Sequence, residues 1–186
     1  VFEREHRGIL TGSPITDIKF TLLTGKAHLK HTSGGDFREA TYRAIRQGLE
    51  QVENILLEPY YRFKISADIE YMGRIISDIQ RLSGSFNVPE QNENKVVIQG
   101  RGPVSTFMDY SNEFNAFTKG KGSISLTYDG YDKCHNWEEV IESRGYNKDA
   151  DIEYTSTSIF CSKGQGYLVK WDKVKEEVHC DLEGLI

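Results

Sequence analysis

No stretch of the sequence approaches the ~18 consecutive apolar residues that a membrane span needs. The first eight residues, VFEREHRG, lack the apolar core of a signal peptide. Cysteine is scarce: Cys134, Cys161 and Cys180 form an odd, widely spaced set without a CxxC pair, which fits reduced thiols better than a disulfide framework. The phosphate-loop pattern GxxxxGK[ST] is absent. Its nearest string, Gly120-Lys121-Gly122-Ser123, puts glycine where the hydroxyl residue must stand and follows a helix pattern rather than a strand, so this chain is expected to bind no nucleoside triphosphate. Internal repeats and low-complexity runs are also missing. The sequence begins at Val1, in what reads as the end of an amphipathic helix, and therefore reads as a fragment.

What is present is enough for a real core. The chain has 186 residues, 38% of them hydrophobic, near the boundary between one domain and two. Its net charge of −5 is unevenly spread. Lys and Arg against Asp and Glu number 8 and 8 over residues 1–59, 9 and 9 over 60–133, and 6 and 11 over 134–186. The acidic excess thus sits in the tail, and a local basic patch in the balanced part can still act on phosphates over a Debye length of ~8 Å. Such a patch exists: no acid occurs between Asp17 and Asp36, and the glycine-bounded stretch Gly25 to Gly35 carries Lys26, His28, Lys30, His31, Thr32 and Ser33.

In chain order, Val1 to His6 reads as a last helical turn closed by Gly8, and Gly12-Ser13-Pro14 as a turn. Residues 15–23 (ITDIKFTLL) alternate with period two, which predicts a half-buried strand. After the basic loop, Phe37, Ala40, Thr41, Ala44, Ile45, Gly48, Leu49 and Val52 recur on one helical face, completing a unit of βαβ type. Tyr60 to Ser66 predicts a strand, with Pro59 at its start or edge. Asp68 caps a helix that carries Ile69, Met72, Ile75, Ile76, Ile79 and Leu82 on one face. Residues 85–89 and 95–100 read as two short strands, Pro103 opens a helix through Phe107, Tyr110, Phe114 and Phe117, and residues 123–131 form a last strand. The order βαββαβ predicts a ferredoxin-like α+β domain. The expected organisation is a partial αβ domain over 1–56, the ferredoxin-like domain over 57–133, and an acidic extension, 134–186, anchored on it by Trp137, Tyr146, Phe160, Tyr167 and Trp171.

Candidate chemistry is sparse. Cys134, His135, Cys161, His179 and Cys180 invite a zinc reading, but adjacent pairs such as Cys134-His135 point apart on strands and helices alike, so no metal is expected. Nothing places a thiol beside a base, so no catalytic residue is assigned. Gly100-Arg101-Gly102 and Gly120-Lys121-Gly122 read as punctuation at element ends. The basic loop carries the types that read a nucleic-acid backbone, namely ammonium charges, imidazoles that stack or hydrogen-bond, and hydroxyls.

An ordered series of motifs goes further: Gly12-Ser13-Pro14-Ile15-Thr16-Asp17, Gly25-Lys26-Ala27-His28, ILLEPYYRFKI (55–65), EYMGRIISDIQRLSG (70–84) and FTKGKGSISLTYDGY (117–131). Over about residues 8–133 the chain resembles the C-terminal half of the elongation factor G family of translational GTPases. Asp36-Phe37-Arg38 and the tail segment SIFCSKGQGY (158–167) resemble the Tet-type tetracycline-resistance ribosomal protection branch. The resemblance implies the distal part of domain IV followed by domain V, and a cytoplasmic, monomeric, ribosome-binding fragment without catalysis or cofactor of its own. GTP and magnesium would belong to the intact protein. It further implies that the tip around Lys26, His28, Lys30 and His31 reaches ribosomal RNA in the decoding region, with Arg74 and Arg81 as large-subunit contacts. His28 matches the family's tip histidine, whereas the run Lys26 to His31 departs from the aromatic, proline-rich loop of the protection branch. The translocation factor itself is the alternative within the family. Outside it stand a ferredoxin-like acylphosphatase, disfavoured because Ser66-Ala67-Asp68 offers no arginine cradle, and a ligand-sensing regulatory module.

Overall fold

The structure is a computed structural model and describes residues 1–27 and 32–178. Its elements in chain order are α1 (Gly34–Glu50), β1 (Leu57–Asp68), a 3-10 turn (Ile69–Tyr71), α2 (Met72–Arg81), β2 (Ser85–Phe86), β3 (Glu90–Asn92), β4 (Lys95–Pro103), α3 (Val104–Phe107), α4 (Tyr110–Thr118), β5 (Ser123–Lys133), α5 (Trp137–Arg144), β6 (Ser158–Ser162), β7 (Gln165–Val169) and α6 (Val174–Glu177). They fall into two compact units: residues 55–138, and residues 1–54 together with the chain from Glu139 onward.

Residues 55–138 form the ferredoxin-like unit that the periodicity predicts. The sheet is antiparallel, in the order β2-β4-β1-β5, with β3 also paired to β4. Period-two patterning sends Phe63, Ile65 and Ala67 of β1 inward, where they meet Val96 and Ile98 of β4, Ile75 and Ile79 of α2, and Phe107, Tyr110 and Phe114. Arg62 and Lys64 of β1 lie on the exposed face. Each large side chain buried this way contributes ~1.5–3 kcal/mol of transfer free energy. Phe63 and Phe107 stack with centroids 5.1 Å apart and planes 12° from parallel.

Local details refine the reading. Pro59 lies where the β1–β5 register shifts, before pairing with β4 begins at Tyr60, so its missing N–H costs no ladder bond there. Asp68 ends β1 and is bridged by Lys95 at 2.6 Å, and a 3-10 turn precedes α2. The helix after Pro103 is broken into α3 and α4. Gly100 and Gly102 are more than punctuation. A Cβ on Gly100 would lie 2.8 Å from the Phe86 Cα, and one on Gly102 would lie 2.8 Å from Phe107 Cζ and nearer still to two other ring carbons.

The other unit departs further from expectation. Residues 15–27 form no strand and are largely exposed, with Leu22 at 90%. A strand requires a partner to take its backbone hydrogen bonds, and the described residues of this unit offer none: β6 and β7 pair with each other, and the remaining bridge is Arg7 with Pro14. The segment before Gly8 is turn rather than helix; Gly8 N–H donates to Ser13 O at 2.8 Å and Ile15 N–H to His6 O at 2.9 Å, closing a small loop over Gly12, whose φ is +69°. Helix α1 buries Ile45 and Leu49 as its periodicity predicts, but also Arg46 and Gln47, while Phe37 stays 50% exposed and Val52, beyond its end, 60%.

Arg46 and Gln47 are buried because residues of the acidic extension pack against α1 within the same compact unit. Arg46 donates to Arg7 O at 2.7 Å and to the Tyr146 hydroxyl at 2.8 Å. Gln47 donates to Ser156 O and Ser158 Oγ, and Lys148 pairs with Glu50. Tyr146 in turn donates to Asp151 at 2.8 Å. Of the other proposed anchors, Phe160 and Tyr167 face each other across the β6–β7 hairpin, with ring centroids 6.2 Å apart.

Two outcomes follow from this packing. Gly102→Ala drives a methyl into the Phe107 ring and is expected to lower stability by ~1–3 kcal/mol, read by urea denaturation; an unchanged midpoint would show that ring and strand separate freely. Burial opposes ionisation of Asp151, but hydrogen bonds from Tyr146 and the Tyr154 N–H, with the charge of Arg46, hold its carboxyl below the ordinary 3.8. A native carboxyl depressed in this way stabilises the fold above its unfolded pKa and loses that contribution as pH falls through the native value. Asp151→Asn is therefore expected to weaken the extension's docking at neutral pH and to flatten the acid limb of a stability-versus-pH curve.

Candidate nucleic-acid interface

The approach to the basic loop is a run of backbone with little cover. Ile18, Phe20, Leu22 and Leu23 are each more than a third exposed, and Lys26 is exposed at their end. Gly25 lies beside the first turn of α1, since a Cβ there would be 4.0 Å from the Phe37 ring. His28, Lys30 and His31 lie outside the described residues. Thr32 is half-buried and Ser33 exposed. Ser33 is the N-cap of α1, and its N–H donates to Asp36 Oδ2 at 2.7 Å while Asp36 N–H donates to Ser33 O at 3.1 Å. Asp36 is thus an acid in the first turn of α1, favourably placed against the helix dipole. Lys26 ends the exposed run, and Thr32 and Ser33 lead directly into the 17-residue helix α1.

Arg74 and Arg81 sit on α2 in a different setting. Arg81 pairs with Asp78 at 3.2 Å and Glu113 at 2.9 Å; Arg74 pairs with Asp78 at 3.7 Å and Glu113 at 3.6 Å and lies 4.2 Å over the Phe117 ring. The Tyr110 hydroxyl donates to Asp78 at 3.2 Å, and burial, with the Asp78 charge behind it, pushes that phenol well above its ordinary range. Two cations thus meet two carboxylates, one of them buried. On the open sheet face, Arg62 and Arg101 are likewise held by Asp129, each at 2.5 Å, and Arg101 also by Asp132 at 2.8 Å. Lys64, two residues along β1 and opposite Gln99, is exposed.

Sequence reasoning missed one cluster in the ferredoxin-like unit. Glu58 Oε1 accepts from the His135 backbone N–H at 2.7 Å and lies 2.6 Å from His135 Nδ1, while Ser105 Oγ donates to Glu58 Oε2 at 3.1 Å. Cys134 is beside them, its Sγ 3.4 Å from Asn136 Oδ1. Cys134 and His135 do not point apart, because the chain has left β5 and is turning. Burial pushes the Cys134 thiol up, and the Glu58 charge adds to that, so it is no activated nucleophile. The available signal was the register that sets β1 against β5. Among the described residues no helix is long and apolar enough to cross a membrane.

Comparison with known proteins fits this architecture. The family described as "Elongation factor G, domain IV" matches residues 1–53, and "Elongation factor G C-terminus" matches residues 55–139. The elongation factor G of Carsonella ruddii (strain PV) is 30% identical over 138 residues, which are 74% of this chain and 20% of that protein, so the chain spans about a fifth of that relative's length. A crystal structure of a protein from Thermus thermophilus is similar at a TM-score of 0.47 and 25% identity, over 52% of this chain and 15% of the other. The boundary between the two matched regions falls within two residues of the boundary between the compact units at Asn54–Ile55. Residues 1–53 and 55–139 belong to the elongation factor G family, the first as its domain IV and the second as its C-terminal domain.

Proposed function

We propose that this chain is the ribosome-binding end of a translational GTPase, acting in the cytoplasm as part of a longer protein that supplies GTP and magnesium binding. The observation that carries this is the coincidence of the acid-free basic loop with the region matched as domain IV. Lys26, His28, Lys30 and His31 then meet ribosomal RNA in the decoding region, Lys26 and Lys30 as point charges on phosphates and the imidazoles as stacking or hydrogen-bonding groups. Thr32 and Ser33 root the loop on α1. Binding is the chain's own contribution, as a monomer; hydrolysis elsewhere in the protein provides the switch. Arg74 and Arg81 are secondary contacts with large-subunit RNA, and their carboxylate partners make any such contact an exchange of ion pairs rather than a gain of new ones.

Within the family we assign the chain to the Tet-type ribosomal protection branch, on Asp36-Phe37-Arg38 and on SIFCSKGQGY, which builds the β6–β7 hairpin. The lysine- and histidine-bearing loop favours the second reading, a translocation factor. An in vitro translation assay with tetracycline separates the two: the full-length protein restores synthesis in the first case, and in the second it drives translocation without relieving the drug.

Replacing Lys26, His28, Lys30 and His31 by Ala in the full-length protein is expected to weaken ribosome binding and to reduce its log–log salt slope by about 1 for each lysine. Stability should change by no more than ~0.5 kcal/mol; a collapse in melting temperature instead would make the loop structural and defeat this reading. Arg74→Ala with Arg81→Ala should behave in the opposite way. Stripping both cations from the buried Asp78 carboxylate is expected to cost ~1–3 kcal/mol in urea denaturation, with a smaller effect on the salt slope.

A further inference from the structure

We propose that Glu58, Cys134 and His135 form a binding site for Zn2+ in the ferredoxin-like unit, at the corner where the chain leaves β5. The donor set is the first argument. A carboxylate oxygen, a thiolate and an imidazole nitrogen are the three ligand types that zinc takes, and the sulfur selects against magnesium and calcium. Geometry is the second. The three ligand atoms lie within 4.8 Å of one another. Ligands of a tetrahedral zinc stand roughly 3.3–3.8 Å apart, given bonds of about 2.0–2.3 Å. The tightest pair, Glu58 Oε1 and His135 Nδ1 at 2.6 Å, has to open by less than about 1 Å to admit the ion.

Burial separates this corner from the surface carboxylate clusters of any acidic protein. Cys134 is 4% exposed and Glu58 9%. The ligands are also held from behind. Cys134 N–H donates to Leu56 O at 2.8 Å, Ser105 Oγ holds the second carboxylate oxygen, and the His135 backbone N–H holds the first. Such support orients a ligand before the ion arrives. Asn136 Oδ1, 3.4 Å from the sulfur, is placed to be the fourth donor, with water as the alternative. Binding releases the thiol proton to solvent, the sulfur entering as thiolate. The ion would tie the exit of β5 to the start of β1, a structural role independent of what the basic loop binds.

The test uses the whole 186-residue chain under reducing conditions, titrated with Co2+ alone and then with Zn2+. The expected result is a thiolate-to-cobalt charge-transfer band that saturates at one equivalent, accompanied by the visible bands of a four-coordinate ion and bleached by Zn2+. The band persists when Cys161→Ser and Cys180→Ser are combined and disappears in Cys134→Ser. Glu58→Gln and His135→Ala each weaken Zn2+ binding at least about tenfold. Should Cys134→Ser fail to fold, the double-serine chain decides alone, because Cys134 is then its single thiol. A wild-type chain without the band, a band that survives Cys134→Ser, or one abolished by the double substitution overturns the proposal.

Discussion

One aromatic ring stacked on another governs the ferredoxin-like unit. Phe107 is fully buried and stacks on Phe63 of the central strand, with Tyr110 at its edge 6.0 Å away. It can come that close because Gly102 of β4, and Gly84 just after α2, carry no side chain at the point of approach. Pro103 then opens α3 immediately after β4, so the ring reaches β1 within one helical turn. With the inner face filled, the polar side chains of β1 and β4 are left to the other face. There Arg62 and Arg101 share Asp129, one on each carboxylate oxygen, and their charge is offset rather than left bare.

The same local logic explains what could be read from residues alone. Alternation at Phe63, Ile65 and Ala67, and helical spacing at Ile75, Ile79 and Leu82, are enforced by contacts inside one unit, and they gave βαββαβ directly. Residues 15–23 alternate equally well and form no strand, since alternation states which face would be buried but not whether a neighbouring strand exists. Helix α1 shows the corresponding limit. Ile45 and Leu49 were legible, whereas the burial of Arg46 and Gln47 depends on Tyr146 and Ser156, about a hundred residues away in sequence. No window on α1 contains those partners.

Charge reading fared similarly. The absence of acid between Asp17 and Asp36 is a property of the sequence and remains the best pointer to a polyanion. Yet Ser33 spends its backbone donor on Asp36 as a helix cap, and the α2 arginines spend theirs on Asp78 and Glu113. A cation paired with a buried carboxylate such as Asp78 can reach phosphate only by giving up that partner, so composition overstates what α2 offers to RNA. Lys26 is differently placed, exposed at the end of an open run of backbone.

The corner at Glu58 was illegible for a reason that also shows how it is built. Adjacent Cys134 and His135 diverge on a strand or a helix, but beyond Lys133 the chain is neither. The register supplies the rest. Tyr61 faces Tyr128 while Pro59 faces Tyr131, so Asp129 and Gly130 together oppose the single Tyr60. This is a bulge, with Gly130 at φ +80°. A one-residue offset inverts the faces of every following residue; here it sets Glu58 against Asp132 and brings the next turn of chain back onto the carboxylate. The extra residue also turns Asp129 and Asp132 towards Arg101. A single irregularity in β5 therefore fixes both the charge balance of the open face and the meeting of carboxylate, thiol and imidazole.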